Sequence, residues 1–565
     1  MAYGIPGQSP HSRGNRRWPA RAVVITTVLI TTGTIIAVVP AMLPAAEATM
    51  SESNLRDWRA RTRTTSAVFG LVSAPATHLS ANLDTGGREL AVDASVSNLG
   101  TLNATVSGTG FDAELLQTGE YTFVKAPASF WSDEGFTRDE ATQFDGTWTR
   151  TDPDVFGVNL AEALDPTTIA MDVDRSVLEG RATPGGSGMV DGVTADVVHL
   201  GDDRTLYLST SESPSLLRLE EPGNTIDFES LDQDAVEELF EQITDLIEGL
   251  DTAVDSQVRF ALDGDIVLSP CNQTTCTAKL SLSNTVSTTS RYVKVDAPVH
   301  ASVTIDMSLD GRPIKTCVKN LTMKPNGTGN VTCTASYTLP NPPPGQTRYH
   351  EVVARSTTVA RAVAKADIAQ LIKDVLEEAE RLVKIYDQTG VKPNSPNVDE
   401  ETEERKDECE AGRAPAQPNY WNLETPSGET EQRATGADAC YPAYGRIPSG
   451  IGGSRITPAG FLPNMNRGHL IAYSLSGSNK ELRNMVPLYR QANYPEMYTQ
   501  HENRVRPMVN AGETVYYQVV PYYTVNAFIP CAVIITIYNA TTGVVDRQPL
   551  INQGLLNGNW ESGCR

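Results

Sequence analysis

Histidine is scarce in this sequence, with seven in 565 residues. Eight cysteines are present, but they include no CxxC pair and no histidines cluster beside them, so the ligand spacing of a zinc site is missing. Gly (43) and Pro (35) are near ordinary usage, which excludes a collagen-like or low-complexity fibre. At 40% hydrophobic and 20% charged residues, the chain is neither fully disordered nor a multi-span membrane protein. The length allows roughly three or four domains at ~100–200 residues each. Positive charge is in deficit: 46 Lys and Arg stand against 69 Asp and Glu, a formal net charge of -23. The acid is unevenly spread. Between Arg446 and Arg506 there are 8 basic residues against 3 acidic ones. A basic island in an acidic chain points to an anionic ligand there.

Long apolar runs are also rare, and the one at the start is informative. Arg13, Arg16, Arg17 and Arg21 precede an uncharged run from Ala22 to Ala46. Some 20 apolar residues cross a bilayer core as a helix, and flanking basic residues stay on the cytoplasmic side. The rest of the chain is expected to be exported. Ala46-Glu47-Ala48 has the small residues of a cleavage site, so residues 1–48 read as a signal peptide, with an uncleaved membrane anchor as the alternative. All eight cysteines follow this segment, and disulfides are the default in an oxidising compartment. Pairing of neighbours would join 271–276, 317–333, 409–440 and 531–564, a connectivity that sequence does not fix.

The next stretch alternates. HLSANLD, ELAVDASVS, LNATVSGTG and EYTFVKA are short period-two runs punctuated by Gly, Asp and Asn, the pattern of antiparallel strands and turns. The segments GEYTFVKAPASFW, FDGTWTR and GVTADVVHLGDDRTLYLSTSESPSLLRLE resemble the LppX/LprG type of exported lipoprotein. That resemblance, placed on 51–250, implies a curved antiparallel sheet with helices on its concave face and a lipid-binding cavity, although the lipobox cysteine is absent. Within it, Val236, Leu239, Phe240, Ile243 and Ile247 form one stripe of an amphipathic helix. Residues 255–355 read as a β-sandwich carrying four cysteines, 357–388 as a second amphipathic helix, and 390–419 as a charged, Pro-rich linker. Residues 420–565 form the last unit. The expected fold class is multidomain and mainly α+β.

The chemistry is concentrated between Asn464 and Arg506, NMNRGHLIAYSLSGSNKELRNMVPLYRQANYPEMYTQHENRVR. His469 is a candidate base, several Asn and one Glu offer oxygen ligands for a hard cation, and the arginines offer phosphate contacts. The spacing predicts a helix from about Tyr494 to Met508, with Asn493 as a possible N-cap and Pro495 in its first turn. These features form a phosphodiesterase kit. Arg467-Gly468-His469, followed by RNMVP, QAN and HENRVR, resembles the DNA/RNA non-specific endonucleases, and most of all their branch of exported, EssD-like nuclease toxins. The resemblance implies a ββα-metal fold. It implies His469 as general base, Asn493 as the direct ligand of Mg²⁺ (with Mn²⁺ as the alternative), Glu502 as an orienting acid, Asn484 as a supporting hydrogen-bonding group and Arg467 as a phosphate contact. Arg490, Arg504 and Arg506 are looser candidates for the nucleic-acid backbone. His501 reads as an exposed, incidental helix residue, and Tyr489, Tyr494 and Tyr498 as base-stacking or core residues. Asn466 stands where the family usually has Asp.

The leading expectation is an exported Mg²⁺-dependent endonuclease acting on DNA, RNA or both. As a toxin it would need an immunity protein in the producing cell. The alternative is a cell-envelope lipid-binding protein with an inactive nuclease-like domain.

Overall fold

A computed structural model describes residues 51–565 except 202, 288–297, 341–344, 346, 390–399, 414–416, 525 and 565. The export segment at 1–48 lies outside the described residues, as does the centre of the expected linker. Among the described residues, no helix is long and apolar enough to cross a membrane. The chain is sheet-rich and multidomain, with helices on the sheets.

The alternating runs of the N-terminal half do form antiparallel strands. Successive hairpins join Ala76–Asp84, Glu89–Ser97, Leu102–Gly108, Phe111–Thr118 and Tyr121–Lys125. A second series from Thr183 to Ser230 joins the first edge through Asn224–Ser230. Inward residues such as Leu79, Val92, Val106 and Leu115 pack beneath helices Glu52–Ser73 and Pro166–Leu178. The space between sheet and helices is filled by Phe111, Phe130, Trp131, Phe144 and Phe156, whose rings contact one another edge-on or tilted. That packing argues against an acyl cavity at this point of the fold.

The region after 250 is less separate than its sequence suggests. Val254–Asp255 pairs in parallel with Thr149–Arg150 and antiparallel with Arg361. One layer of the central sandwich (Val299–Leu309 between Arg312–Met323 and Val352–Arg361) therefore continues the large sheet, which has 15 strands among the described residues. Buried Asp255 takes the Arg150 guanidinium at this junction. The other layer contains Thr275–Val286 and Thr328–Ser336, and Leu280, Leu282, Val303 and Ile305 meet between the two. The helix expected from 357 begins only at Lys365, because the β-branched run before it pairs with Val299–Leu309. The expected linker likewise contains a helix, Glu400–Glu410. It is tied to the C-terminal domain by the Cys409–Cys440 disulfide and by Arg405 on buried Asp438. Four disulfides join neighbours in sequence: 271–276, 317–333, 409–440 and 531–564.

The C-terminal domain is built on a five-stranded antiparallel sheet, ordered Asn419–Tyr420, Ala437–Tyr441, Val515–Tyr522, Ala532–Asn539 and Val544–Ile551. The strand Ala532–Asn539 is buried along its whole length, AVIITIYN, as a strand covered on both faces should be. Val533, Ile535 and Ile537 face the domain's own core. Ala532 and Ile534 face the other way, into the core of the N-terminal domain. There Phe69 meets Tyr522 edge-on at 5.4 Å, and Gln553 donates to buried Asp174 at 2.6 Å.

Candidate active site

The site begins with a short hairpin. Asn466–His469 pairs antiparallel with Met485–Leu488, so that Gly468 lies opposite Val486 and His469 opposite Met485. Met485, Val486 and Leu488 are almost wholly buried and anchor the hairpin in the domain core. Buried Asn552 ties it down further: its amide donates to Pro487 O at 3.1 Å and accepts from Tyr489 N at 2.8 Å.

Asn484 is fully buried and holds the loop that follows His469. Its Oδ1 accepts from Ile471 N at 2.8 Å, and its Nδ2 donates to Ile471 O at 3.0 Å and Ser478 O at 3.2 Å. A buried amide with these partners satisfied fixes the loop without a charge. The loop closes so tightly that a Cβ on Gly477 would lie 1.7 Å from Ile471 O.

His469 is 8% exposed, and its Nε2 lies 2.6 Å from Asn479 Oδ1. Burial pushes the imidazole below its ordinary pKa and the nearby Arg455 charge adds to this, while the bond to Asn479 opposes it. The ring is thus neutral near pH 7, the state in which it can take a proton. Arg467 is half-buried. Its Nε donates to Thr457 Oγ1 at 3.0 Å, and its guanidinium lies 4.7 Å from the Phe461 ring centre.

Asn493 enters from the next element. A turn after Leu488 brings Asn493 N to Tyr489 O at 3.0 Å. Tyr494 is then extended (φ -153, ψ 123) before helix resumes toward Asn510. The expected helix from about Tyr494 therefore starts one residue later, after the extended Tyr494, and Asn493 is placed by the turn before it rather than as its cap. Its Oδ1 lies 3.3 Å from where a Cβ on Gly468 would sit. The Asn493 carboxamide has no hydrogen-bond partner among the described residues, and it is half-buried beside the hairpin.

Glu502 lies on the same helix in an interior setting. Burial pushes its carboxyl up to about 7, and its charge bears on the buried hydroxyls of Tyr441 and Tyr517. Tyr441 OH donates to Leu475 O at 2.6 Å. One turn after Glu502, Arg506 donates to Ser474 O and to Ile447 O. Glu502 and Arg506 therefore sit where the helix meets the loop that follows His469.

Two expectations fail here. Arg504 is buried, paired with Asp546 at 2.5 Å, and stacked on Trp58 at 5.2 Å, so it is not presented to a nucleic-acid backbone. His501 is buried rather than exposed. Burial lowers its pKa to about 4 despite the Asp546 charge. Both residues face the N-terminal domain because the helix is covered by Glu52–Ser73, an arrangement that local periodicity does not reveal. Arg490 is exposed. Tyr489 is buried, whereas Tyr494 and Tyr498 are exposed with ring centres 5.7 Å apart. Sequence reasoning missed Asn479, Arg455 and Lys480. Lys480 lies against Gly453, and with Arg455 and Arg467 it adds positive charge to the segments around His469. The basic island was the available signal, but it does not say which members converge.

Among the described residues no three His, Cys, Asp or Glu side chains converge as a cation site. An unpartnered Asn493 oxygen still fits Mg²⁺, a hard cation that keeps several waters and takes few protein ligands.

Residues 452–540 match the family model described as DNA/RNA non-specific endonuclease. Among solved structures, the chain is similar to NucA from Streptococcus agalactiae with magnesium ion bound, at 16% identity and a TM-score of 0.19, covering 30% of this chain and 100% of that one. The same nuclease with no metal bound aligns at 16% identity and a TM-score of 0.19, over 30% of this chain and 99% of that one. The Pseudomonas aeruginosa MucA/MucB complex aligns at 14% identity and a TM-score of 0.15, over 50% of this chain and 93% of that one. No curated protein is significantly similar in sequence to this chain.

Proposed function

We propose that the C-terminal domain hydrolyses phosphodiester bonds of DNA, RNA or both without sequence preference, and that it requires Mg²⁺. The observation that carries this reading is the pairing of a neutral, nearly buried His469 with the unpartnered Asn493 oxygen next to Gly468, on a hairpin followed by a helix. This order supports the ββα-metal reading, and the endonuclease family match over 452–540 supports the reaction class.

In this reading His469 accepts a proton from a water molecule as its oxygen attacks phosphorus. The P–O bond to the 3′ side breaks, and the leaving oxygen takes a proton from solvent. Asn493 would hold the metal, which when bound neutralises charge gathering on the phosphate and the leaving oxygen. Arg467 grips phosphate with the donors that Thr457 leaves free, and Arg455 and Lys480 add long-range attraction. Asn484 keeps the loop behind His469 closed. Contacts of this kind address phosphate and sugar, so cleavage is sequence-tolerant.

We further propose that the protein is exported, on the N-terminal basic-then-apolar segment, and that the four disulfides suit an oxidising compartment. A toxin role, with an immunity protein in the producing cell, is one use of such an enzyme. The test is degradation of plasmid DNA and of RNA by the full chain, with Mg²⁺ or with chelator, beside His469→Ala. Cleavage that is unaffected by either change would overturn the proposal.

A further inference from the structure

A neutral imidazole can take a proton at one nitrogen only, and which one is set by the bond the other makes. In this domain the bond is to a side chain outside the family-like motif. Asn479 lies ten residues after His469 and places Oδ1 2.6 Å from Nε2. An amide offers an acceptor on one arm and two donors on the other, so its orientation decides what it can do to a neighbour. Here the donor arm is already committed. Asn479 Nδ2 donates to Gly453 O at 3.1 Å. Turning the amide over would set two oxygens against each other at Gly453 and an NH₂ against the ring. The acceptor arm therefore faces His469, and Nε2 must carry the hydrogen.

We propose that Asn479 is a positioning residue for the reaction: it locks His469 in the Nε2–H form and leaves Nδ1 as the proton acceptor. The inference rests on the nuclease reading for its consequence in catalysis, but not for the tautomer itself. The backbone around Asn479 is suited to the task. Asn479 N donates to Ile451 O at 2.9 Å, and Asn479 O accepts from Ile456 N at 3.2 Å. Ser478 forms a parallel bridge with Ile451. Both main-chain groups of residue 479 are thus tied to the 451–456 segment, which also carries Arg455 and Gly453. An amide in this place orients the ring without adding a negative charge. A carboxylate would favour the protonated ring, whereas an amide leaves the ring free to act as a base.

Two measurements on the full chain test this. The first needs no variant of Asn479. In protein labelled with ¹⁵N-histidine, with the His469 signal assigned by its loss in His469→Ala, the ring nitrogens should report the Nε2–H tautomer. The Nδ1–H tautomer, or an even mixture, would overturn the proposal whether or not the protein cleaves nucleic acid. The second compares Asn479→Ala with Asn479→Asp under Mg²⁺. The Ala variant loses the acceptor, and kcat should fall about 10–100-fold, the range for groups that orient a functional imidazole from behind, with KM little changed. The Asp variant keeps the acceptor but loses the Gly453 donor and favours the protonated ring, so it should recover most of that loss at alkaline pH, where the ring is neutral, and less of it near pH 7. Wild-type kcat in the Ala variant, or equal damage in both at alkaline pH, would reduce Asn479 to a loop tie. If wild type and His469→Ala are both inactive, the nuclease reading fails while the tautomer result still stands.

Discussion

Asn493 Oδ1 lies 3.3 Å from the point where a Cβ on Gly468 would project, and the same point is 2.4 Å from Leu488 Cδ1. A side chain at the residue before His469 would thus be crowded by Leu488 of the partner strand and by the candidate metal ligand. Gly468→Ala should displace the Leu488 side chain and shift Asn493 by a few tenths of an ångström. The expected result is a higher Mg²⁺ requirement and a stability loss of about 1–3 kcal/mol from overpacking, read by Mg²⁺ titration of cleavage and by denaturant melts.

Glu502 gives a pH signature. Unfolded, it ionises near its ordinary 4.5; folded, burial delays this to about 7. Between those values the folded chain holds a proton the unfolded chain has lost, so this group's contribution falls as pH rises. His501 acts in the opposite sense. Its folded value of about 4 lies below its ordinary 6.5, so its contribution grows as pH rises across that interval. Glu502→Gln should remove the first slope alone. Relative to wild type, it should be more stable at pH 8 than at pH 4, by roughly 3 kcal/mol. Equal stability differences at the two values would contradict the buried setting of Glu502.

How far the sequence foretold the site differs residue by residue. Arg467-Gly468-His469 and the Asn after it were legible because they occur within one run of chain. Asn479 was not, since its role comes from the path of the 451–456 segment and from no spacing rule. The start of the following helix was legible to within a residue of the extended Tyr494, but the turn before it, closed by Asn493 N on Tyr489 O, was not. Arg504 and His501 were misjudged for a related reason: their exposure depends on a helix more than 400 residues earlier in the sequence. The alternating strands of the first half were legible from local period two, whereas the continuity of one sandwich layer with the large sheet depends on a two-residue strand, Val254–Asp255.

The contact between domains makes its own prediction. Phe69 is 6% exposed and meets Tyr522 across the boundary. Phe69→Ala should cost about 3–5 kcal/mol, as large core truncations do. Thermal melts should show the C-terminal domain losing stability along with the N-terminal one. A chain beginning at residue 400 should aggregate, because Ile534 and Ala532 lose their cover. A monodisperse and equally stable fragment would show that the interface is dispensable.

Removing the Cys531–Cys564 bond by paired Ser substitutions should lower stability by about 2–4 kcal/mol. The bond closes 33 residues and lies where both cysteines are buried. Denaturant melts under oxidising conditions would read the change.

The most direct test of the central claim compares full-length wild type, His469→Ala and Asn493→Ala on plasmid DNA and RNA, with Mg²⁺ and with chelator. The account predicts Mg²⁺-dependent cleavage that falls about 10²–10⁴-fold on loss of the base. Asn493→Ala should also lose activity and recover part of it at high Mg²⁺. Folded wild-type protein that leaves both substrates intact, or cleavage that both variants retain, would contradict it.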